Sequence, residues 1–254
     1  MVRKLKAKKR TLLVDGDIVC YRIATAIEEA TEWQDDMWTL HADAKMGKEI
    51  LDNALNKYLK ELNCNNIVIA LSDKTNFRKK LFPEYKSHRK KVRKPIIVKP
   101  LKEYIYKKYP TYRLPDLEGD DTLGILATSK YKDNCIILSS DKDMRTIPCF
   151  HHFIHDNQTE LVDEKTADYY FMFQTLTGDT SDGYSGIKGC GAVKAERVLY
   201  NSEKNLPSMW KAVVEEYKRN NLTEKDALLQ ARMARILRAQ DYNFKTKKPI
   251  LWRL

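Results

Sequence analysis

Four times along this chain a short apolar run gives way at once to carboxylates, and that repetition limits the folds open to it. Thr11-Leu12-Leu13-Val14 ends on Asp15-Gly16-Asp17, and residues 66–71 end on Ser72-Asp73. Tyr112-Arg113-Leu114 leads to Glu118-Gly119-Asp120-Asp121, and residues 135–140 end on Asp141-Lys142-Asp143. Runs of this length and β-branched content read as buried strands. An open α/β sheet of mostly parallel strands would bring every one of these acids to its carboxyl edge, where such sheets place their chemistry. Like charges about 4 Å apart repel by roughly 4 kcal/mol at an effective dielectric near 20, so gathered acids call for a cation. For residues 118–121 there is a simpler alternative, because acids in a first helical turn also meet unpaired N–H groups and a helix dipole.

Apolar periodicity predicts helices over 18–30, 42–62, 101–109, 164–177, 208–220 and 223–239, with a small hairpin over 33–40. A chain of 254 residues suits one large α/β domain or one domain with an appendage. No apolar run approaches the roughly 18 residues of a membrane span. The five cysteines are odd in number and lack any Cys-x-x-Cys spacing, which argues against a disulfide frame or zinc ribbon and for a reducing cytoplasm. His151, His152 and His155 lack metal-ligand spacing and read as structural.

The net charge of +11 is concentrated. Residues 1–10 carry six Lys/Arg and no acid, as a solubilising arm would, and residues 74–94 carry ten against Glu84 alone. In the second segment Arg78, Lys79, Lys80, Lys86 and Arg89 alternate with Phe77, Phe82 and Tyr85. One-sided charge interleaved with rings suits a nucleic acid, with Tyr85 offering a ring for base stacking. On a helix Lys86 and Arg89 would share a face. Further on, Asp179 and Asp182 precede a turn containing Gly186, Lys188, Gly189, Gly191 and Lys194, whose backbone could cradle a phosphate.

Val14-Asp15-Gly16, Asp73, Tyr85-Lys86-x-x-Arg89, Glu118-Gly119-Asp120-Asp121, Ser140-Asp141-x-Asp143 and Gly178-Asp179-x-Ser181-Asp182, followed by Gly186, Gly189 and Gly191, together resemble the 5′→3′ exonuclease and flap endonuclease family. Met233-Ala234-Arg235-Ile236-Leu237-Arg238, Tyr242-Asn243-Phe244 and Leu251-Trp252-Arg253 are most similar to its members from short-tailed lytic phages. The resemblance implies a PIN-like α/β domain over 1–177, with a central mostly parallel sheet flanked by helices and a helical arch at about 74–100. It also implies a helical region with a helix-hairpin-helix over 178–254. The implied activity is 5′→3′ exodeoxyribonuclease action on double-stranded DNA with flap endonuclease activity, extending to RNA–DNA hybrids and yielding 5′-phosphates.

By the same resemblance Asp15, Asp73, Glu118, Asp120 and Asp121 would surround one Mg2+ or Mn2+, and Asp141, Asp143, Asp179 and Asp182 a second. Tyr85, Lys86 and Arg89 would act at the scissile phosphate. Arg78, Lys79, Lys80, Gly186, Lys188, Gly189, Gly191 and Lys194 would hold DNA, the hairpin also taking a monovalent cation, and replication proteins would be partners. Gly183 and Ser185 replace the Asn and Pro common before this hairpin, and the extra Asp17 is expected to cap the first helix.

Two rival readings make different use of these residues. Val14-Asp15-Gly16-Asp17 has the Asp-x-Asp of haloacid dehalogenase phosphatases, although the later acidic motif of that family should follow a strand and here follows an expected helix. A DNA-binding module without catalysis would have no use for so many uncompensated carboxylates.

Overall fold

The computed structural model describes residues 10–254 apart from 201 and 204. Residues 1–9, which hold most of the expected basic arm, lie outside the described residues. Strand β1 (Arg10–Asp15) enters helix α1 (Gly16–Ile27), and a hairpin of β2 (Glu29–Glu32) and β3 (Trp38–His41) leads to α2 (Ala44–Glu61) and β4 (Cys64–Ala70). Then follow α3 (Phe77–Leu81), a 3-10 turn at Ser87–Lys91, α4 (Val98–Lys108), β5 (Thr111–Tyr112), α5 (Gly119–Thr128) and β6 (Cys135–Ser139). After a second 3-10 turn come β7 (Phe150–Phe153), β8 (Gln158–Leu161) and α6 (Glu164–Thr177). The chain ends in α7 (Ala192–Tyr200), α8 (Leu206–Arg219), α9 (Glu224–Ala234) and a short terminal strand pair.

The main sheet runs in the order β5-β4-β1-β6-β7-β8, parallel except for β8 at its edge. Alternation along the strands divides its two faces. Leu12, Val14, Ile69, Ile136 and Leu138 pack beneath α1, α2 and α4, whereas Leu13, Val68, Ala70 and Ile137 meet Leu123, Leu126 and Ala127 of α5. A sheet covered on both sides has near-continuous apolar strands, which is why the runs lack a polar alternation. Beside it, α6 shares a third core with α7, α8 and α9, closed by Phe171, Trp210 and Trp252.

Two expectations require correction. The segment 74–100 forms no continuous helix: α3 ends before Pro83, and Lys86 has the left-handed φ of 54°. The last helix stops at Ala234, five residues early, because Arg235 is drawn into an ion pair with Asp241 at 2.8 Å and Leu237 N–H donates to Asp121. Tertiary partners outweigh the helical periodicity there. The crossover is tight, since a Cβ on Gly124 of α5 would lie 2.3 Å from Leu237 O. Among the described residues no helix is long and apolar enough to cross a membrane.

His151 on β7 is 1% exposed and donates Nε2–H to Ile147 O at 2.8 Å, and its other ring nitrogen has no partner. Burial lowers its pKa to about 4. The neutral ring is therefore favoured in the fold, and its contribution is lost as pH falls from about 6.5 towards 4. Relative to His151→Phe, the wild type should lose about 2 kcal/mol between pH 7 and pH 5 in urea unfolding. Parallel profiles for the two proteins would contradict this.

Candidate active site

The strand ends deliver their acids as the alternation requires. Asp15, 1% exposed, caps α1 by accepting from Ile18 N–H at 3.0 Å and also accepts from Ser139 Oγ–H at 2.9 Å. Asp17 lies two residues further along, in the first turn of α1, where it accepts from Ser72 N–H and pairs with Lys102, so the cap expected of it belongs to Asp15. Asp141 caps the second 3-10 turn, accepting from Asp143 N–H at 2.9 Å. Glu118 caps α5, placing Asp120 in its first turn.

These elements leave a cavity of about 20 Å³ walled by Glu118, Asp120, Asp141, Asp143 and Asp182, with Gln174 and Tyr184 beside them. That volume holds about one water-sized particle. Burial, with Asp17 and then Asp141, pushes the Asp15 carboxyl up to about 7. Burial and then Asp15 and Asp141 raise Asp120 well above its ordinary range. Asp143 also rises to about 7, through burial and then Asp141 and Asp179, and Asp141 is raised mainly by burial. Burial would raise Asp179, but hydrogen bonding from Ser181, whose N–H donates to it at 2.7 Å, and then from Asp143 holds it below its usual value. Seven of the nine expected acids thus form one electrostatic group.

The basic segment folds down onto this group. Lys86 Nζ lies 2.7 Å from Glu118 and 3.3 Å from Asp182, and Lys86 N–H donates to Asp182 O at 2.7 Å. Arg89 reaches Asp182 at 2.7 Å and Ser181 O at 2.8 Å. Burial alone would raise the Glu118 carboxyl, but Lys86 and Arg78 outweigh it and hold the group at about 2. Tyr85 is 2% exposed, stacks near Tyr184 and donates its hydroxyl towards Glu118 and Asp182, so, contrary to the expectation, it offers no ring to a base.

Three further expectations are corrected by placement. Arg78, expected on a DNA-facing surface, is 2% exposed and grips both oxygens of Asp121 at 2.7 Å. Asp121, 0% exposed, is occupied by that pair and by Leu237 N–H, away from the cavity. Asp73 accepts from Asp116 N–H at 3.0 Å and faces Arg113 at 3.7 Å, outside the carboxylate group.

The glycine turn divides in two. Gly186 has φ +57° and is buried, with backbone atoms 2.4 Å from where a Cβ would stand, so its role is packing against the end of α6. Gly189 and Gly191 meet nothing within 4 Å and leave their backbone open. Lys79, Lys80 and Lys188 are exposed, Lys80 pairing with Asp116, while Lys194 is bound to Glu216 at 2.7 Å. Gln174 gave no sequence signal, since it lies in an ordinary helical pattern, and Met233, Ala234 and Ile236, which carried part of the resemblance, wall the cavity beside it.

A parallel sheet with acids along its carboxyl edge and a basic segment folded over them defines a PIN-like nuclease. Residues 10–171 match the model of the 5′-3′ exonuclease N-terminal, resolvase-like domain. The chain is 32% identical to the exonuclease of Escherichia phage T7, over 96% of this chain and 94% of that protein, and 30% identical to the exodeoxyribonuclease of Enterobacteria phage T3, over 96% and 93%. A bacteriophage T5 flap endonuclease, solved as a pseudo-enzyme–product complex with DNA and metal ions, superposes with a TM-score of 0.69 at 14% identity, over 89% of each chain. The chain belongs to the 5′-3′ exonuclease and flap endonuclease family.

Removing one partner of a buried ion pair leaves the other uncompensated. Asp121→Asn should therefore lower unfolding stability by about 3 kcal/mol, whereas Asp73→Asn, at a half-exposed site, should cost about 1 kcal/mol or less. Urea titration distinguishes them, and equal losses would refute the assignment of Asp121 as structural.

Proposed function

We propose that the chain is a divalent-metal-dependent nuclease that removes nucleotides from the 5′ ends of double-stranded DNA, cuts 5′ flaps and cleaves the RNA strand of hybrids, leaving 5′-phosphates. The observation that carries this reading is the cavity walled by five carboxylates and capped by Lys86 from a basic segment. The phage T7 and T3 exonucleases and the metal- and DNA-bound T5 structure support it by similarity.

The donor set fits hard cations such as Mg2+ or Mn2+, because it offers only oxygen. Among the described residues no three His, Cys, Asp or Glu side chains form a ready-made cage. An ion of this kind keeps several waters and completes its shell on substrate phosphate. Asp15, Glu118, Asp120, Asp141, Asp143, Asp179 and Asp182 are the residues that would hold two such ions. When bound, these supply an activated water and stabilise the leaving 3′ oxygen. Asp73 and Asp121 act in this reading by fixing the loops around the site.

The chain's own cations do the rest. Lys86 and Arg89, held at the rim by Asp182, offer positive charge to the non-bridging oxygens of the phosphate as charge grows there. Tyr85 keeps Glu118 and Asp182 oriented from behind. Lys79, Lys80, Lys188 and Lys194 with Gly189 and Gly191 contact the duplex backbone, the hairpin taking a monovalent cation. The work is done in the cytoplasm beside replication proteins. A phosphatase reading gives this basic rim no task.

Asp141→Asn should lower kcat on a 5′-labelled duplex at least about 100-fold while DNA affinity holds or rises, because a repelling charge is removed. Chelation should abolish hydrolysis, and Mg2+ or Mn2+ should restore it. Turnover of nitrophenyl phosphate, or undiminished nucleotide release by the variant, would overturn the proposal.

A further inference from the structure

The hairpin of β2 and β3 stands apart from the main sheet, and every residue from Glu29 to His41 is exposed. A two-stranded hairpin with no third partner is marginal in water. Its residues are nonetheless suited to contact. Positions 29–41 carry four acids and no lysine or arginine, on a chain of net charge +11. Asp35 and Asp36, at φ 61° and 56°, turn the chain back tightly and set two adjacent carboxylates at the tip. Behind them Trp33 and Trp38 are each 56% exposed and Met37 is 61% exposed, the Trp33 ring being pinned by donating Nε1–H to Thr39 Oγ1 at 2.9 Å. Glu29, Glu32, Asp35 and Asp36 make no ion pair among the described residues. Carboxylates around exposed rings repel phosphate, so a nucleic acid is a poor occupant, whereas an apolar surface with cations at its margin complements both features.

The same chain carries such a surface. Helices α6, α7 and α8 border an open groove of about 650 Å³, lined by the rings of Tyr169 and Tyr170 and by Val193 and Tyr200, which are 72% and 80% exposed. A space of this size lies in the range that buries a drug-sized ligand, so it can admit indole rings. Exposed Lys165 and Arg197 stand at it against Glu196 alone, and none of the three makes an ion pair among the described residues. The hairpin joins α1 to α2 on the core of the main sheet, whereas the groove belongs to the separate helical core. We infer that the β2–β3 hairpin of one copy of this chain docks in the α6–α8 groove of a second copy, Trp33 and Trp38 meeting the tyrosines while the tip acids meet Lys165 and Arg197. Because the two patches differ, the contact is head-to-tail and propagates beyond a dimer. A few half-exposed side chains make a small interface, at the weak end of specific association. Neither patch includes a residue of the carboxylate cavity, so this association stands apart from the nuclease reading.

Analytical ultracentrifugation of the full chain, without DNA, would follow the weight-average mass from about 1 to about 100 µM, where it should rise past that of a dimer. Trp33→Ala/Trp38→Ala and Arg197→Ala/Tyr200→Ala alter exposed side chains only. Each should weaken association more than about tenfold, as loss of central aromatic or arginine contacts does. An equimolar mixture of the two variants should form a dimer and nothing larger, because one intact hairpin and one intact groove remain between them. That dimer would also show both variants to be folded. A wild type that stays monomeric throughout this range would overturn the inference, as would variants that associate like the wild type or a mixture that yields no dimer. Should the variants instead lose affinity for a duplex, measured by fluorescence anisotropy, with the mass curve unchanged, the rings contact nucleic acid and the proposal equally fails.

Discussion

The guanidinium of Arg78 holds together the three parts of the chain that make the site. It is buried at the start of the basic segment, grips Asp121 bidentately at 2.7 Å, reaches Glu118 at 3.3 Å, and donates to Met233 O at 3.1 Å and Arg235 O at 2.5 Å. α3, α5 and the end of α9 with the segment leaving it are thereby fixed to one planar group. A lysine could not replace it, having a point charge where a rigid fork is needed. Burial of the ion pair is tolerable because each donor finds an acceptor, and the same contact positions Glu118, whose carboxylate receives Lys86.

From that anchor the carboxylates separate into two kinds. Glu118, Asp121 and Asp182 have cationic partners, and Glu118 is correspondingly acidic. Asp15, Asp120, Asp141 and Asp143 make no ion pair among the described residues, and burial with repulsion from neighbouring carboxylates raises all four. Strand ends and helix starts carry them to this edge, and cap hydrogen bonds hold Asp15 and Asp141 there. The compensated half fixes the scaffold and the uncompensated half attracts positive charge. Buried carboxyls with opposed environments are a recurring mark of acid–base and metal chemistry.

Much of this arrangement was legible in the chain because it follows from strand periodicity. A run such as residues 67–71, apolar at every position, reads as a strand buried on both faces, and a carboxylate beyond its end falls at the sheet's edge. Asp15, Asp120, Asp141 and Asp143 could be grouped on that basis, whereas Asp179 and Asp182, which follow a helix, joined them only through the family resemblance. The destinations of Arg78, Tyr85 and Asp121 could not. In sequence Arg78 is one cation among ten, and its burial depends on carbonyls more than 150 positions away. Likewise Arg235-Ile236-Leu237-Arg238 continues a helical pattern, and only the ion pair to Asp241 and the donation to Asp121 end the helix. Local rules indicated which residues would lie at the edge. Partner choice among like residues required the fold.

The backbone at Lys86 shows why the basic segment is broken where a helix was expected. A lysine at φ 54° is strained by about 1–3 kcal/mol, and such a conformation persists only where the surroundings impose it. Here its N–H is held by Asp182 O and its ammonium lies between Glu118 and Asp182, while Gly183, at φ +81°, brings its backbone close to Glu84 O and Lys86 N. On a continuous helix Lys86 and Arg89 would project together from a flexible face. In the broken segment Lys86 is buried between Glu118 and Asp182, and Arg89 lies across the more exposed rim, held by Asp182 and Ser181 O, so both cations are in place beforehand. A charge fixed before substrate arrives needs no reorganisation when phosphate charge develops. The strain at Lys86 is thus the local cost of placing a positive charge permanently over carboxylates that would otherwise repel the phosphate they are gathered to cleave.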